Sequence, residues 1–261
     1  MDASMWVAKT GLTAQSTRLS VISNNLANVS TVGFKKDRAI FEDLIYQNIV
    51  QPGGQTDANS ESPTGLMLGT GTRVVGTEKL HMQGSMMSTE NALDIAIAGD
   101  GYFAIEQGDG STAYTRDGSF KLSAEGQMVT SGGQALVPAI LIPADASSIT
   151  IGRDGIVTAE LQAGAGAVQV GQLEVSRFVN NSGLQPMGRN LYKTTAASGE
   201  AVVGIPGEAG VGSLMQGTLE ASNVNVVEEM VNMIEAQRAY EINSKAISAA
   251  DGILKFLNNT L

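Results

Sequence analysis

The sequence predicts an α+β protein in which long N- and C-terminal helices pair as a coiled-coil inner domain, with an extended arm and an antiparallel all-β outer domain inserted between them. Three observations carry this. Apolar residues recur every seven positions at both ends of the 261-residue chain. The middle changes to a period of two punctuated by glycine turns, and a polar stretch separates the first helix from the strands.

At the N-terminus Met5, Leu12, Leu19 and Leu26 fall seven apart, and Ala8, Ile22 and Val29 fill the second position of the repeat, where only Gln15 is polar. Asp2 is the expected N-cap and Gly33 the left-handed residue past the helix end. A helix of about 28 residues would be about 42 Å long, more than one small core covers. At the C-terminus Val226, Met233, Tyr240, Ile247, Leu254 and Leu261 form the seam, flanked by Ala236, Ala250 and Leu257. Asn225 followed by Glu228 reads as a capping-box variant, and Glu228 and Glu229 suit the positive end of the helix dipole. Gly252 inside the helix costs about 1 kcal/mol relative to alanine and calls for close approach of a neighbour or compensating packing. Gln15, Gln237, Ser244 and Asp251 sit on or beside the seams, where polar groups fix register. Pairing within one chain and packing between copies both satisfy such seams.

Between the helices, "LDIAIA" (Leu93 to Ala98) alternates, and "YFAIE" follows Asp100-Gly101 as if across a hairpin. Further turn signals stand at Asp109-Gly110, Asp117-Gly118, Glu125-Gly126, Gly132-Gly133 and Asp154-Gly155. This spacing predicts an antiparallel barrel or sandwich. The stretch from Tyr46 to Val75 has no helical period and reads as a long loop or an arm ordered against a partner. The expected organisation is 1–33 with 217–261 as the terminal-helix domain, 34–75 with 205–216 as connecting region and arm, and 76–204 as the β-rich outer domain.

Composition narrows function. A net charge of −10 opposes phosphate-tracking, so nucleic acid and anionic membrane surfaces are not expected partners. The absence of cysteine removes disulfides, thiolate metal sites and cysteine nucleophiles. Asp2 stands where a secretory signal carries positive charge, and no apolar run reaches the roughly 20 residues a membrane span needs, so neither a cleaved signal peptide nor membrane insertion is expected.

His81 is the only histidine and reads as a surface or hairpin residue, which leaves no material for a Ser-His-Asp or multi-histidine site. "GTGTRVVG" and "GAGAVQVG" lie outside any βαβ unit, and the Asp-Gly pairs lack calcium-loop spacing. No catalytic, cofactor-binding or metal-binding residues are expected, and no enzyme.

"NNLANVSTVGFKK" (Asn24 to Lys36) resembles the motif that follows the N-terminal helix in the bacterial flagellar axial proteins, the family of rod, hook and hook-associated subunits. "VNMIEAQRAYEINSKAISAADGILKFLNNTL" (Val231 to Leu261) resembles that family's C-terminal signature. With "FEDLIYQNIVQPGGQT", "AYTRDGSF", "ITIGRDGIV" and "EASNVNVVEEMVNMI" the resemblance covers essentially the whole chain and is nearest to distal rod subunits of the basal body. It implies a structural subunit that self-assembles helically into a straight, rigid, hollow drive shaft, transmits motor torque to the hook and encloses the export channel. Its implied partners are further copies, proximal rod and hook subunits, the rod cap, basal-body ring proteins and the export apparatus. Its implied location is the basal body, with the rod crossing the periplasm and outer-membrane ring.

Carried onto this sequence, Asn24, Asn25, Asn28, Gly33, Phe34 and Lys35 are the joint between inner helix and outer layers. Tyr46, Gln51, Pro52, Gly53, Pro63 and Gly65 belong to an arm that holds the rod straight. A plainer reading of the joint is a helix C-cap and a solvated basic turn. The alternative function is a secreted, oligomeric β-domain protein that binds or cleaves cell-wall glycan.

Overall fold

The computed structural model describes all residues except 1, 2, 54, 58, 59, 62, 63, 162–165, 209 and 261, and leaves out the side chains of 3, 55–57, 60, 61 and 257–260. Asp2, Pro63 and Leu261, together with the side chain of Leu257, therefore lie outside the described residues. The chain is α+β and divides into two units: Met1–Leu26, Asp37–Glu78 and Asn225–Leu261 in one, Ala27–Lys36 and Lys79–Val224 in the other.

The first unit holds helix α1 (Ala3–Ala27) and helix α2 (Val226–Thr260). α1 has 25 residues rather than about 28. Val29, expected on its seam, lies beyond its end in a turn, where Thr31 donates its backbone N–H to the Asn28 carbonyl. α2 starts where its cap predicts: Asn225 Oδ1 accepts from the N–H groups of Val227 at 3.1 Å and Glu228 at 3.4 Å.

The helices meet in antiparallel order. Asn25 Nδ2 lies 3.5 Å from Glu229 Oε2, Arg18 is 3.6 Å from Glu235, and a Cβ on Gly11 would lie 3.2 Å from the Asn243 side chain. Gly11 therefore lets α1 approach α2 where a larger residue would hold it off. Gly252 shows no such contact, since a Cβ there meets nothing within 4 Å among the described residues.

The segment expected as a long loop is a β-ribbon. Tyr46–Val50 pairs antiparallel with Leu66–Gly69, and Gln55–Asp57 pairs with Ser60–Glu61. Asp37–Asp43 and Thr72–Lys79 form a two-stranded sheet below it. Its root is tied by Leu44 N–H to the Gly71 carbonyl at 2.8 Å, by Thr70 Oγ1 to the Ile45 carbonyl at 2.7 Å, and by Thr72 N–H to Thr10 Oγ1 of α1 at 3.3 Å.

The second unit is β-rich but forms no barrel. Its largest sheet has five antiparallel strands in the order Leu136–Val137, Phe103–Glu106, Thr112–Thr115, Leu191–Lys193, Gln185–Gly188. Ala146–Ile151, Ile156–Leu161 and Ala167–Gln172 form a three-stranded meander, and the remaining pairs are two-stranded ribbons. Asp109-Gly110, Glu125-Gly126 and Asp154-Gly155 turn hairpins, with each glycine at φ near +80°.

Asp100-Gly101 does not turn a hairpin. Ile95–Ala98 pairs with the distant Ser213–Gln216, and Ile95, Ala96 and Ile97 are all buried, so both faces of that strand are covered. Side chains alternate across the five-stranded sheet. Phe103, Ile105, Ala113 and Leu191 enter the main core with Ile97, Phe120, Met128 and Leu173, while Tyr102, Ala104, Tyr114 and Tyr192 join Phe178 and Leu184 in an aromatic cluster. Each fully buried large side chain stabilises by about 1.5–3 kcal/mol.

Gly33 shows how tightly the turn after α1 is held: it has φ +68°, donates its N–H to the Glu220 carbonyl at 2.8 Å, and a Cβ there would lie 2.8 Å from Arg116 backbone. Gly33→Ala is therefore expected to lower stability by more than about 2 kcal/mol in urea unfolding. Gly53→Ala, also at positive φ but in open space, should cost only about 1 kcal/mol.

Candidate assembly surfaces and the buried joint

The motif after α1 is a set of interlocking contacts. Asn25 is 1% exposed, and its amide grips the Asp37 backbone from both sides, Nδ2 donating to the carbonyl at 2.9 Å and Oδ1 accepting from the N–H at 2.8 Å. An amide side chain matches a peptide group in shape and donor-acceptor pattern, so it substitutes for a strand neighbour. Asn24, exposed on the helix, reaches Asp37 Oδ2 at 3.3 Å, and Asn28 Oδ1 accepts from Thr31 Oγ1 at 3.2 Å. Phe34 is buried with the Lys79 ammonium 4.9 Å from its ring centroid.

Lys35 overturns the expectation of a solvated basic turn, because its side chain is wholly buried. Lys35 Nζ donates to Glu220 Oε1 at 2.5 Å and to the Met82 carbonyl at 2.7 Å. Arg116 donates to Glu220 Oε2 at 3.3 Å, and Gly84 N–H to Glu220 Oε1 at 2.8 Å. Burial pushes the Lys35 ammonium below its ordinary range, and the adjacent Glu220 carboxylate pulls the other way. One carboxylate thus joins residues 33–36, 82–84, 116 and 220, four separate stretches of sequence.

His81 is not a surface residue. It is half-buried, its Nδ1 lies 2.7 Å from the Tyr102 hydroxyl, and its ring meets Tyr102 and Tyr192 edge-on. Sequence reasoning missed both this contact and Glu220. The available signal was the paired lysines at 35 and 36, in a turn where one cation without a carboxylate could not be buried.

Of the seam positions on α1, Ile22 is buried and Met5, Leu12, Leu19 and Leu26 are half-buried. Gln15 Oε1 is buried with no hydrogen-bond partner among the described residues. On α2, Met233 and Ile247 are half-buried and Val226, Tyr240 and Leu254 remain about 40% exposed.

α2 also carries a second apolar stripe that the heptad reading missed. Val227, Val231, Ile234, Ile242 and Ile253 are 48–72% exposed. At about 100° per residue Val231 and Ile242 lie across the helix from the seam, and Val227, Ile234 and Ile253 stand to its sides. Apolar exposure continues on the ribbon, at Ile45, Tyr46, Ile49, Leu66, Met67 and Leu68. Gln51, Pro52 and Gly53 are exposed at its far end, and Gly65 is held against Val50, where a Cβ would lie 2.5 Å from the carbonyl oxygen. Patches of this extent mark contact surfaces on a folded chain.

Comparison with known proteins assigns the class first. The family model "Flagella basal body rod protein" matches residues 5–35, "Flagellar hook protein FlgE/F/G D1 domain" matches 96–159, and "Flagellar basal body rod FlgEFG protein C-terminal" matches 215–260. These are the signatures of flagellar hook and rod subunits. The chain is 51% identical to the flagellar basal-body rod protein FlgG of Buchnera aphidicola (Acyrthosiphon pisum, strain APS), with 99% of each chain covered. It is 48% identical to FlgG of Borreliella burgdorferi over 99% of this chain and 98% of that one, and 41% identical to FlgG of Bacillus subtilis over 99% of both. The chain belongs to the FlgG family of flagellar basal-body rod proteins, which are structural and not enzymatic. The glycan-binding or glycan-cleaving alternative finds no support in these matches.

Removing the buried carboxylate strands two cations. Glu220→Ala is expected to destabilise the protein by about 3–5 kcal/mol in urea unfolding, and Lys35→Met in the same chain to recover part of that loss.

Proposed function

We propose that this chain is the distal-rod subunit of a flagellar basal body, polymerising helically into a straight, hollow shaft that carries torque to the hook and surrounds the export channel. The observation that carries the reading is that α2 is covered on one face only: it meets α1 through Glu229, Glu235 and Asn243, with Ala236 buried, while Val227, Val231, Ile234, Ile242 and Ile253 are left exposed in a single chain. A helix apolar on both sides is buried on both sides, and in a homopolymer the second cover is another copy.

In this reading 1–33 with 217–261 form the inner layer around the channel, and 76–204 the outer layer. The motif from Asn24 to Lys35 joins the two. The seam residues Met5, Leu12, Leu19, Ile22 and Leu26, with Val226, Met233, Tyr240, Ile247, Leu254 and Leu261, supply packing within and between copies. Gly252 then has a role, as a site where a neighbouring copy approaches the helix backbone.

The ribbon from Tyr46 to Gly69, with Gln51, Pro52, Gly53 and Gly65 toward its far end, acts as the straightening arm, to which Pro63 is assigned from the sequence alone. An isolated two-stranded ribbon with exposed apolar residues is marginal alone, and support from neighbouring copies both orders it and resists sliding between them. Proximal rod subunits, hook subunits, the rod cap, ring proteins and the export apparatus complete the proposed set of partners. The proposed path of the rod runs through the periplasm and outer-membrane ring, without a cleaved signal peptide on the subunit.

Two measurements test this. Ile242→Asp alters a residue that is 67% exposed, so it should leave the melting temperature within a few degrees of the unaltered chain while abolishing straight filaments in electron micrographs of concentrated protein. Filaments of unchanged length and number would refute the role of the second stripe. Replacing residues 51–65 with Asn-Gly keeps the Tyr46–Val50 and Leu66–Gly69 pairing and should lower filament bending stiffness without lowering subunit stability. Unaltered curvature and stiffness would remove the arm from the mechanism.

A further inference from the structure

Lys35, His81, Tyr102, Arg116 and Glu220 lie together in the β-rich unit, and His81 is the member whose charge ordinarily changes between pH 5 and 8. Its surroundings are cationic. Lys35 Nζ bonds the carbonyl of Met82, the next residue, the Arg116 guanidinium sits 5.2 Å from the Tyr102 ring centroid, and Lys79 is two residues upstream. The facing carboxylates are Glu220, already engaged by Lys35 and Arg116, and Asp100, whose charge acts on Lys35 and Tyr102. Tyr192 closes the other side with its ring edge.

Among the described residues no carboxylate bonds either ring nitrogen, and Nε2 is buried without a partner.

The hydrogen-bond chain has one workable direction at neutral pH. Burial pushes the Tyr102 phenol well above its ordinary ionisation range, so its O–H is retained and donates to His81 Nδ1, while the Arg116 guanidinium stands over the phenol ring. The imidazole is then neutral with its hydrogen on Nε2. A proton arriving on Nδ1 reverses that bond. The phenol hydrogen must turn away from Nδ1, and a fourth positive charge joins Lys35, Lys79 and Arg116.

We propose that this cluster is an acid-operated latch, in which proton uptake by His81 breaks the Tyr102 contact, frees the 80–85 segment and loosens the Glu220 clasp on residues 33–36 while the main apolar core persists. The three cations and burial of the ring push the imidazole down to about 4 from its ordinary 6.5, with burial the larger cause. The folded chain therefore refuses a proton that the unfolded chain accepts between those values. Stability from this group is complete above pH 6.5 and is lost as pH falls toward 4.

His81 is the only histidine, so its C2 proton gives a single resonance in the full chain. The latch predicts an NMR titration midpoint below about 5, with the Gly33 and Gly84 amide resonances moving at that same midpoint. Between pH 7 and pH 5 the unfolding constant of the unaltered chain should rise about twentyfold more than that of His81→Gln, which keeps an acceptor for Tyr102 but cannot titrate. A midpoint between 6 and 7, stationary Gly33 and Gly84 amides, or equal pH dependence in His81→Gln would each overturn the proposal. If His81→Gln does not fold, the resonance titration of the unaltered chain decides alone.

Discussion

Lys35 and Arg116 can leave water only because Glu220 goes with them. Each buried ion alone carries a penalty of several kcal/mol, and a neighbouring carboxylate with well-aligned hydrogen bonds offsets most of it. Glu220 has that geometry: one oxygen receives Lys35 and the Gly84 amide, the other receives Arg116. The groups it gathers are the turn that follows α1, the segment beside His81 and the strand entering the aromatic cluster. Because Glu220 is itself the last residue of its strand, a few positions before α2, the residues adjoining both helices are fixed by the same charge balance. An apolar contact would tolerate sliding at this point. A buried charge triad has one good arrangement, so the segments that carry Lys35, Arg116 and Glu220 are held in fixed register within the β-rich unit.

The helices were the most legible elements. Heptad spacing located both, and Asn225 located the start of α2 to the residue, because a cap has a local chemical signature. The end of α1 was less readable: Val29 continues the apolar period, but Asn28 engages Thr31 and the chain turns there. In the β-rich unit the glycine turns at 110, 126 and 155 were legible, whereas the partner of Ile95–Ala98 was not. Ser213–Gln216 is more than 100 residues away, and period-two patterning says nothing about which distant strand pairs with which. The ribbon at Tyr46–Val50 was hidden for a related reason. Its strands expose their apolar residues, so the alternation that marks a half-buried strand is missing.

The candidate surfaces divide in the same way. A seam is a repeat and can be counted from sequence, whereas the exposed apolar residues from Val227 to Ile253, interrupted by Arg238 and Lys245, follow no strict heptad. The buried joint has no period at all. It depends on residues 35, 81, 102, 116 and 220 converging in space, and nothing in their spacing announces it.

The antiparallel register of the helices leaves them unequal. With Gly11 beside Asn243 and Asn25 near Glu229, the start of α1 falls beside about residue 251, so α2 continues for some two turns past its partner. That extension carries exposed Ile253 and Leu254, whereas the opposite end of the pair is capped and hydrogen-bonded. A building block with one protruding, apolar end and one closed end is directional. Copies joined head to tail through it would form a structure whose two tips differ chemically, one displaying the apolar extension and the other its complement.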